Sequence, residues 1–138
     1  MTEKKEERNV RREKLLELQS LDAQIKQIEE QMVQIEEQIF EVDSLIDNLH
    51  EIKNVKAGEE ILVPVANGIF IKAKIENTSN LKVNIGSGVV VDKTLDETID
   101  MLKEQIKNIE KYKDEIFLQL QQMISQASQV QAYIVGED

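Results

Sequence analysis

From Leu18 onward, apolar side chains recur at Leu18, Leu21, Ile25, Ile28, Met32, Ile35, Ile39, Val42, Ile46 and Leu49, with steps of three and four alternating without a break. This spacing is the a/d seam of a heptad coiled coil, because alternating three- and four-residue steps keep one stripe of a helix turned toward a partner. A second seam runs through Leu95, Ile99, Leu102, Ile106, Ile109, Lys113, Ile116, Leu120, Met123, Ala127, Val130 and Ile134. Between the two, over 60–94, the period falls to two. Ile69, Ile71, Ala73 and Ile75 alternate with Phe70, Lys72 and Lys74, and Leu81, Val83 and Ile85 alternate with Lys82 and Asn84. Alternation of this kind marks strands with one buried face. Ala66-Asn67-Gly68, the stretch from Glu76 to Asn80 and Gly86-Ser87-Gly88 punctuate the region as turns, which predicts two β-hairpins.

The chain therefore divides into a charged flexible N-terminal tail (1–14), a first coiled-coil helix (15–57), two hairpins (58–94) and a second coiled-coil helix (95–138). The fold class is mainly α with a β insert. Acidic e positions on the first helix, Asp22, Glu29, Glu36 and Asp43, find no basic g partners in a parallel copy, so the second seam is the better partner. An antiparallel coiled coil within the chain sets Leu49 near Leu95 and Leu18 near Ala127, with arms of about 50–60 Å at 1.5 Å per residue. Gly58 is expected to help end the first helix. Asp92 or Thr94 caps the second, with Asp96 and Glu97 in its first turn, where the dipole favours negative charge. Lys113, the one charged seam residue, is expected to pack its stem and reach a neighbouring carboxylate with its ammonium.

An insert of about 35 residues lacks the volume for a core of its own, and a two-stranded hairpin is marginal alone in water. The first strand and Val89-Val90-Val91 are apolar without alternation, which implies cover on both sides, while Pro64 places its strand at an edge. The apolar hairpin faces accordingly need other chains.

Charge narrows the classes of partner. The chain carries 17 Lys and Arg against 27 Asp and Glu, a formal −10. Residues 1–14 depart from this with six Lys or Arg against four Glu, which leaves the remainder near −12. So acidic a body argues against nucleic acid, whose phosphates are met by Lys and Arg. No apolar run approaches the ~20 residues of a membrane span, and the absence of cysteine excludes disulfides and thiolate chemistry and is compatible with a reducing compartment. A cytoplasmic protein with no membrane or nucleic-acid partner is expected. With one histidine, His50, in the last turn of the first helix, and carboxylates spread along solvated helix faces, neither a catalytic constellation nor a metal set is present in the sequence. Gly86-Ser87-Gly88 lacks the Lys-Ser/Thr of a phosphate loop and precedes a strand. The expectation is a non-enzyme without cofactor or metal.

The helix ends are more telling. Val10, Leu15 and Leu16 near the N-terminus, and Ile124, Tyr133 and Val135 near the C-terminus, lie off the seams, beside seam residues Met123, Val130 and Ile134. In a two-stranded coiled coil such groups have nothing to cover them, and exposed apolar patches mark interaction sites. These nine residues are a candidate interaction site at the tip.

The stretch Leu62-Val63-Pro64-Val65-Ala66-Asn67-Gly68-Ile69-Phe70-Ile71-Lys72-Ala73-Lys74-Ile75, with Val83-Asn84-Ile85-Gly86-Ser87-Gly88-Val89-Val90-Val91-Asp92-Lys93-Thr94 after it, closely resembles the α-type subunits of archaeal-type prefoldin. LVP, the G-x-F-x-x-A turn and strand, and the GxG before the last strand carry the likeness, and two hairpins rather than one distinguish α-type from β-type subunits. The resemblance implies a hexameric chaperone of two α-type and four β-type subunits, whose hairpins assemble into an intersubunit β-barrel. It also implies that the coiled-coil tips hold unfolded proteins, which makes the nine residues above the client-binding tip, and pass them to a group II chaperonin without ATP. Leu62, Val63, Val65, Ile69, Phe70, Ile71, Ile75, Val83, Ile85, Val89 and Val91 are then the oligomerisation residues. Filament-forming relatives and a purely structural scaffold are the competing expectations.

Overall fold

The computed structural model describes residues 2–136. Its elements run α1 (Thr2–Ile52), β1 (Glu60–Ala66), β2 (Ile69–Lys74), β3 (Asn80–Gly86), β4 (Val89–Thr94) and α2 (Leu95–Gly136). The chain forms two compact units, one of Met1–Gln38 with Ile109–Asp138 and one of Ile39–Asn108. We call these the terminal and the central unit.

In the terminal unit the two helices pack antiparallel through their seams. Leu21, Ala127, Val130 and Ile134 form a buried cluster against which Leu18 and Ile25 pack. Leu18 therefore lies with Ala127, as the heptad phase requires. Gln31 donates from Nε2 to the Tyr112 hydroxyl at 3.1 Å. Lys113 Nζ lies 3.3 Å from Glu36 Oε1, its side chain one-third exposed. The lysine thus keeps its place in the seam by burying its stem and delivering its charge to the flank of the facing helix. Because an exposed pair of this kind contributes about 0–1 kcal/mol, Lys113→Leu, which completes the apolar seam, is expected to raise the urea midpoint of unfolding. A lowered midpoint would show that the ion pair outweighs the packing.

In the central unit Ile46, Leu95, Ile99 and Leu102 form a second buried cluster, with Val42, Leu49, Ile52, Met101, Ile106 and Leu81 packed on it. Leu49 and Leu95 share this cluster as expected. Leu81 belongs to β3, so the second hairpin is anchored on the helix bases by its inward face. Lys53 on the connection from α1 pairs with Asp96 in the first turn of α2 at 3.1 Å. Thr94 caps α2: its Oγ1 accepts from the Glu97 backbone N–H at 3.1 Å. Thr98, buried one turn later, donates its hydroxyl to the Thr94 carbonyl at 2.8 Å. Thr94→Ala is expected to cost about 1 kcal/mol, read as a fall in the chemical denaturation midpoint. An unchanged midpoint would mean that the cap is dispensable.

Two boundaries differ from those expected. Helix α1 begins at Thr2, so 2–14 continue the helix instead of forming a separate tail. The cause is compositional: eleven of these thirteen residues are Glu, Lys, Arg or Val, most of them good helix formers, and Lys14 at their end pairs with Glu17 one turn on at 3.4 Å. Met1 lies outside the described residues. At the other end α1 stops at Ile52, five residues before the expected 57. Turn bonds from the N–H of Lys53, Asn54 and Val55 to the carbonyls of His50, Glu51 and Ile52 tighten and end it. Gly58 does not cap the helix. At φ +89° it turns the chain into β1, its N–H donating to the Ile75 carbonyl at 2.7 Å.

The two hairpins are separate two-stranded antiparallel sheets, β1 with β2 and β3 with β4. They share one design at a constant offset of 20 residues: Glu60↔Lys74 corresponds to Asn80↔Thr94, Val63↔Ile71 to Val83↔Val91, and Ala66↔Ile69 to Gly86↔Val89. Each has one extra residue before its turn, Val65 in the first and Ile85 in the second, which bends the strand and increases its twist. Gly68 and Gly88 occupy equivalent turn positions at φ +75°, where a Cβ would be strained.

Candidate functional site

Two surfaces carry exposed apolar groups where the sequence placed its candidates. The first is the hairpin pair. Leu62, Val65, Ile69, Phe70, Ile71, Ile85 and Val89 are exposed, while Val63, Ile75, Val83 and Val91 are half-buried. Since each sheet has only two strands, every strand keeps one edge of unpaired backbone groups, the arrangement that accepts another chain. The faces of the two hairpins differ in chemistry. On the first hairpin the pairs Ile61↔Ala73 and Val63↔Ile71 form an apolar face, and the other face mixes Leu62, Pro64 and Phe70 with Glu60, Lys72 and Lys74. On the second hairpin Leu81, Val83 and Val91 occupy one face, and the opposite face carries the ion pair of Lys82 with Asp92. An open, mostly apolar groove of about 560 Å³ runs along this hairpin, lined by Leu45, Leu49, Ile52, Leu81, Val83 and Met101 among others.

The second surface lies in the terminal unit. Val10, Leu15, Leu16, Ile124, Tyr133 and Val135 are exposed, Leu16 to 60% and Val135 to 64%. The Lys14 ammonium stands 5.7 Å from the Tyr133 ring centroid, which brings the two helix ends together. Val130 and Ile134 are buried at d and a positions between the helices, and Met123 is half-buried. These three support the surface from beneath and offer it little area, because the seam partner already covers them.

Several exposed apolar residues escaped the sequence analysis. Phe40 is 72% exposed, and Val33, Tyr112, Phe117 and Leu118 are also exposed. They lie off both seams, at the same kind of position that singled out the helix ends. Val33 and Phe40 are one heptad apart, as are Phe117 and Ile124, a spacing that could have identified them. Among the described residues, no group of three His, Asp or Glu side chains is placed to hold a metal ion. None of the described helices is long and apolar enough to cross a membrane.

Residues 21–135 match the family model for prefoldin subunits. The chain belongs to the prefoldin family, as an α-type member. Among curated proteins it is 33% identical to the prefoldin subunit alpha of Archaeoglobus fulgidus, over 62% of this chain and 63% of that protein. It is 39% identical to that of Methanopyrus kandleri over 83% of this chain and 75% of the relative, and 30% identical to that of Thermofilum pendens over 67% and 71%. The first of these alignments thus spans just under two thirds of the relative's length. Among solved structures the chain resembles filamentous PFD from Methanocaldococcus jannaschii, determined by cryo-EM, with a TM-score of 0.76, 16% identity and coverage of 83% of this chain and 95% of that one. At that identity the likeness speaks for the prefoldin fold alone. The family match takes in both hairpins, Ile124, Tyr133 and Val135, whereas Val10, Leu15 and Leu16 precede it.

Proposed function

We propose that the chain is a subunit of a prefoldin hexamer, two α-type with four β-type subunits, that captures unfolded proteins and passes them to a group II chaperonin without ATP. Its hairpins join those of the other subunits in a shared barrel, and the helix ends of the terminal unit hold the client. The observation that carries this reading is the group of uncovered apolar residues on both helices of one unit, Leu15, Leu16, Ile124, Tyr133 and Val135, in a family of chaperone-like subunits. A coiled coil needs none of them for its own stability. The assembly is expected in the cytoplasm.

The physics of such holding is multivalent. A patch of about 300 Å² is worth about 7 kcal/mol at 25 cal/mol per Å², and association and ordering costs consume most of it. One subunit alone then holds a client weakly. Several subunits tethered to one base raise the effective concentration for each further contact, so avidity appears while every single contact still releases quickly. The acidic body keeps the assembly soluble.

The open strand edges of both hairpins favour a second reading, in which they drive self-assembly into a scaffold without clients. Native mass spectrometry of the subunit, alone and with β-type prefoldin subunits of the same cell, followed by an aggregation assay without ATP, separates the two. A hexamer with two copies of this chain that suppresses aggregation is expected. A homo-oligomer that ignores both β-type subunits and unfolded proteins would overturn the chaperone reading in favour of the scaffold.

A further inference from the structure

The helical stretch at the start of α1 sorts its charges by face. At 100° per residue, Lys4, Lys5, Arg8, Arg11 and Arg12 fall within an arc of about 120°, and Glu3, Glu6, Glu7 and Glu13 fall within a separate arc of about 120° on the far side, where Lys14 also lies. Lys4, Lys5, Arg8 and Arg12 are exposed and form no ion pair among the described residues. Leu15, also exposed, lies one heptad beyond Arg8 on the same stripe. This stretch precedes the residues matched by the family model, and its net positive charge sits on a body near −12.

Mixed charges scattered at random would give a solvated helix with its cations neutralised by neighbours one turn away. Here Lys4, Lys5, Arg8 and Arg12 instead make a row of positive charge about 12 Å long, with an apolar group at its end. We propose that this row is a docking surface for short acidic polypeptide segments that carry an apolar residue. The row matches three to four residues of extended chain at about 3.3 Å each, a few carboxylates and no more. Opposite charge steers the encounter and selects against basic segments, which the acidic body would otherwise collect. The far face of the helix argues against a membrane: interfacial helices oppose their cations with an apolar face, and here that face carries four Glu. A nucleic acid long enough to pass the row would meet Asp22, Glu29 and Glu36 beyond it. The proposal goes beyond client holding by the apolar patch: it shares Leu15 with that patch and rests on the four cations outside it.

The test uses the full chain and a fluorescein-labelled, unstructured peptide of about a dozen Glu, Ser and Leu residues, followed by anisotropy; its length covers the ~12 Å row with slack. Binding is expected to be roughly tenfold tighter than for the same peptide with Lys in place of Glu, and to weaken as salt rises and the Debye length shortens from about 10 Å. The quadruple variant Lys4→Gln, Lys5→Gln, Arg8→Gln, Arg12→Gln, with Gln chosen as a good helix former, is expected to lose that preference. The charge-keeping set Lys4→Arg, Lys5→Arg, Arg8→Lys, Arg12→Lys is expected to retain it, which separates loss of charge from loss of helix. Equal binding of the acidic and basic peptides, or undiminished binding by the Gln variant, would overturn the proposal. So would tighter binding of a single-stranded oligonucleotide or of anionic lipid vesicles. Aggregation suppression is measured alongside and is expected to persist in the Gln variant, so failure here is distinguishable from failure of client holding.

Discussion

Replacing Phe70 and Ile71 together with Ser is expected to leave the two helices folded and to abolish association with other prefoldin subunits. Both side chains are more than half exposed in the isolated chain, on opposite faces of the first hairpin, opposite Pro64 and Val63 respectively. Neither contributes to the buried clusters that hold the helices, which draw on Leu21, Ala127, Val130 and Ile134 in one unit and on Ile46, Leu95, Ile99 and Leu102 in the other. Full burial of a large apolar side chain contributes about 1.5–3 kcal/mol. Two such losses at one interface come to about 3–6 kcal/mol, or roughly 10²- to 10⁴-fold in association. Sedimentation should therefore show the double variant as a monomer at concentrations where the unaltered chain is fully assembled, with far-ultraviolet circular dichroism close to the original. Persistence of the oligomer would assign assembly to the second hairpin or to the helices. The equivalent change at Val90 should be milder, because Val90 buries less apolar area than Phe70 and stands opposite Asn84, beside the ion pair of Lys82 with Asp92.

The difference between the hairpins also marks what could be read from the chain alone. Heptad steps locate every seam residue without side-chain detail, since burial along a coiled coil depends on phase and little else. All the seam positions from Leu18 to Leu49 and from Leu95 to Ile134 are buried or half-buried, Lys113 included. Alternation and turn residues likewise define two hairpins and, in the second, the half-buried face of Leu81 and Val83, whereas Ile69 and Ile71 of the first stay exposed. The anchoring of Leu81 on the helix bases was beyond reach, because a strand's apolar face does not name the element that covers it. So was the start of α1 at Thr2. A run of Lys, Arg and Glu suits a solvated tail and a surface helix equally by composition, and only the arrangement of its charges around 3.6 residues per turn distinguishes them. Phe40 shows the opposite failure. It stands beside Ile39 in an unbroken seam, and attention to the seam hides a neighbour that the seam leaves in water.

Substituting Leu15, Leu16, Ile124, Tyr133 and Val135 with Gln or Ser is expected to preserve assembly and remove most suppression of client aggregation. The five lie in the terminal unit, apart in sequence from every strand, and all are exposed, so their loss opens no cavity. Surface changes of this type usually alter stability within about 0.5 kcal/mol. Their effect on holding is larger because it is compounded. If each subunit loses about 2 kcal/mol of client contact, a single contact weakens roughly 30-fold, and a client held through several subunits loses that factor at each one. The graded form of the experiment is more informative than the full set. Single changes at Leu16 or Val135, the most exposed of the five, should reduce suppression slightly in the assembled oligomer and more in the free subunit, since avidity masks the loss of one weak contact. Ile134→Ser should behave differently: it strikes the buried cluster with Leu21, Ala127 and Val130, and it should lower the thermal stability of the helices as well as activity. Unchanged suppression by the fivefold variant in an intact assembly would place client contact elsewhere, with Phe40, Phe117 and Leu118 the next exposed apolar side chains to test.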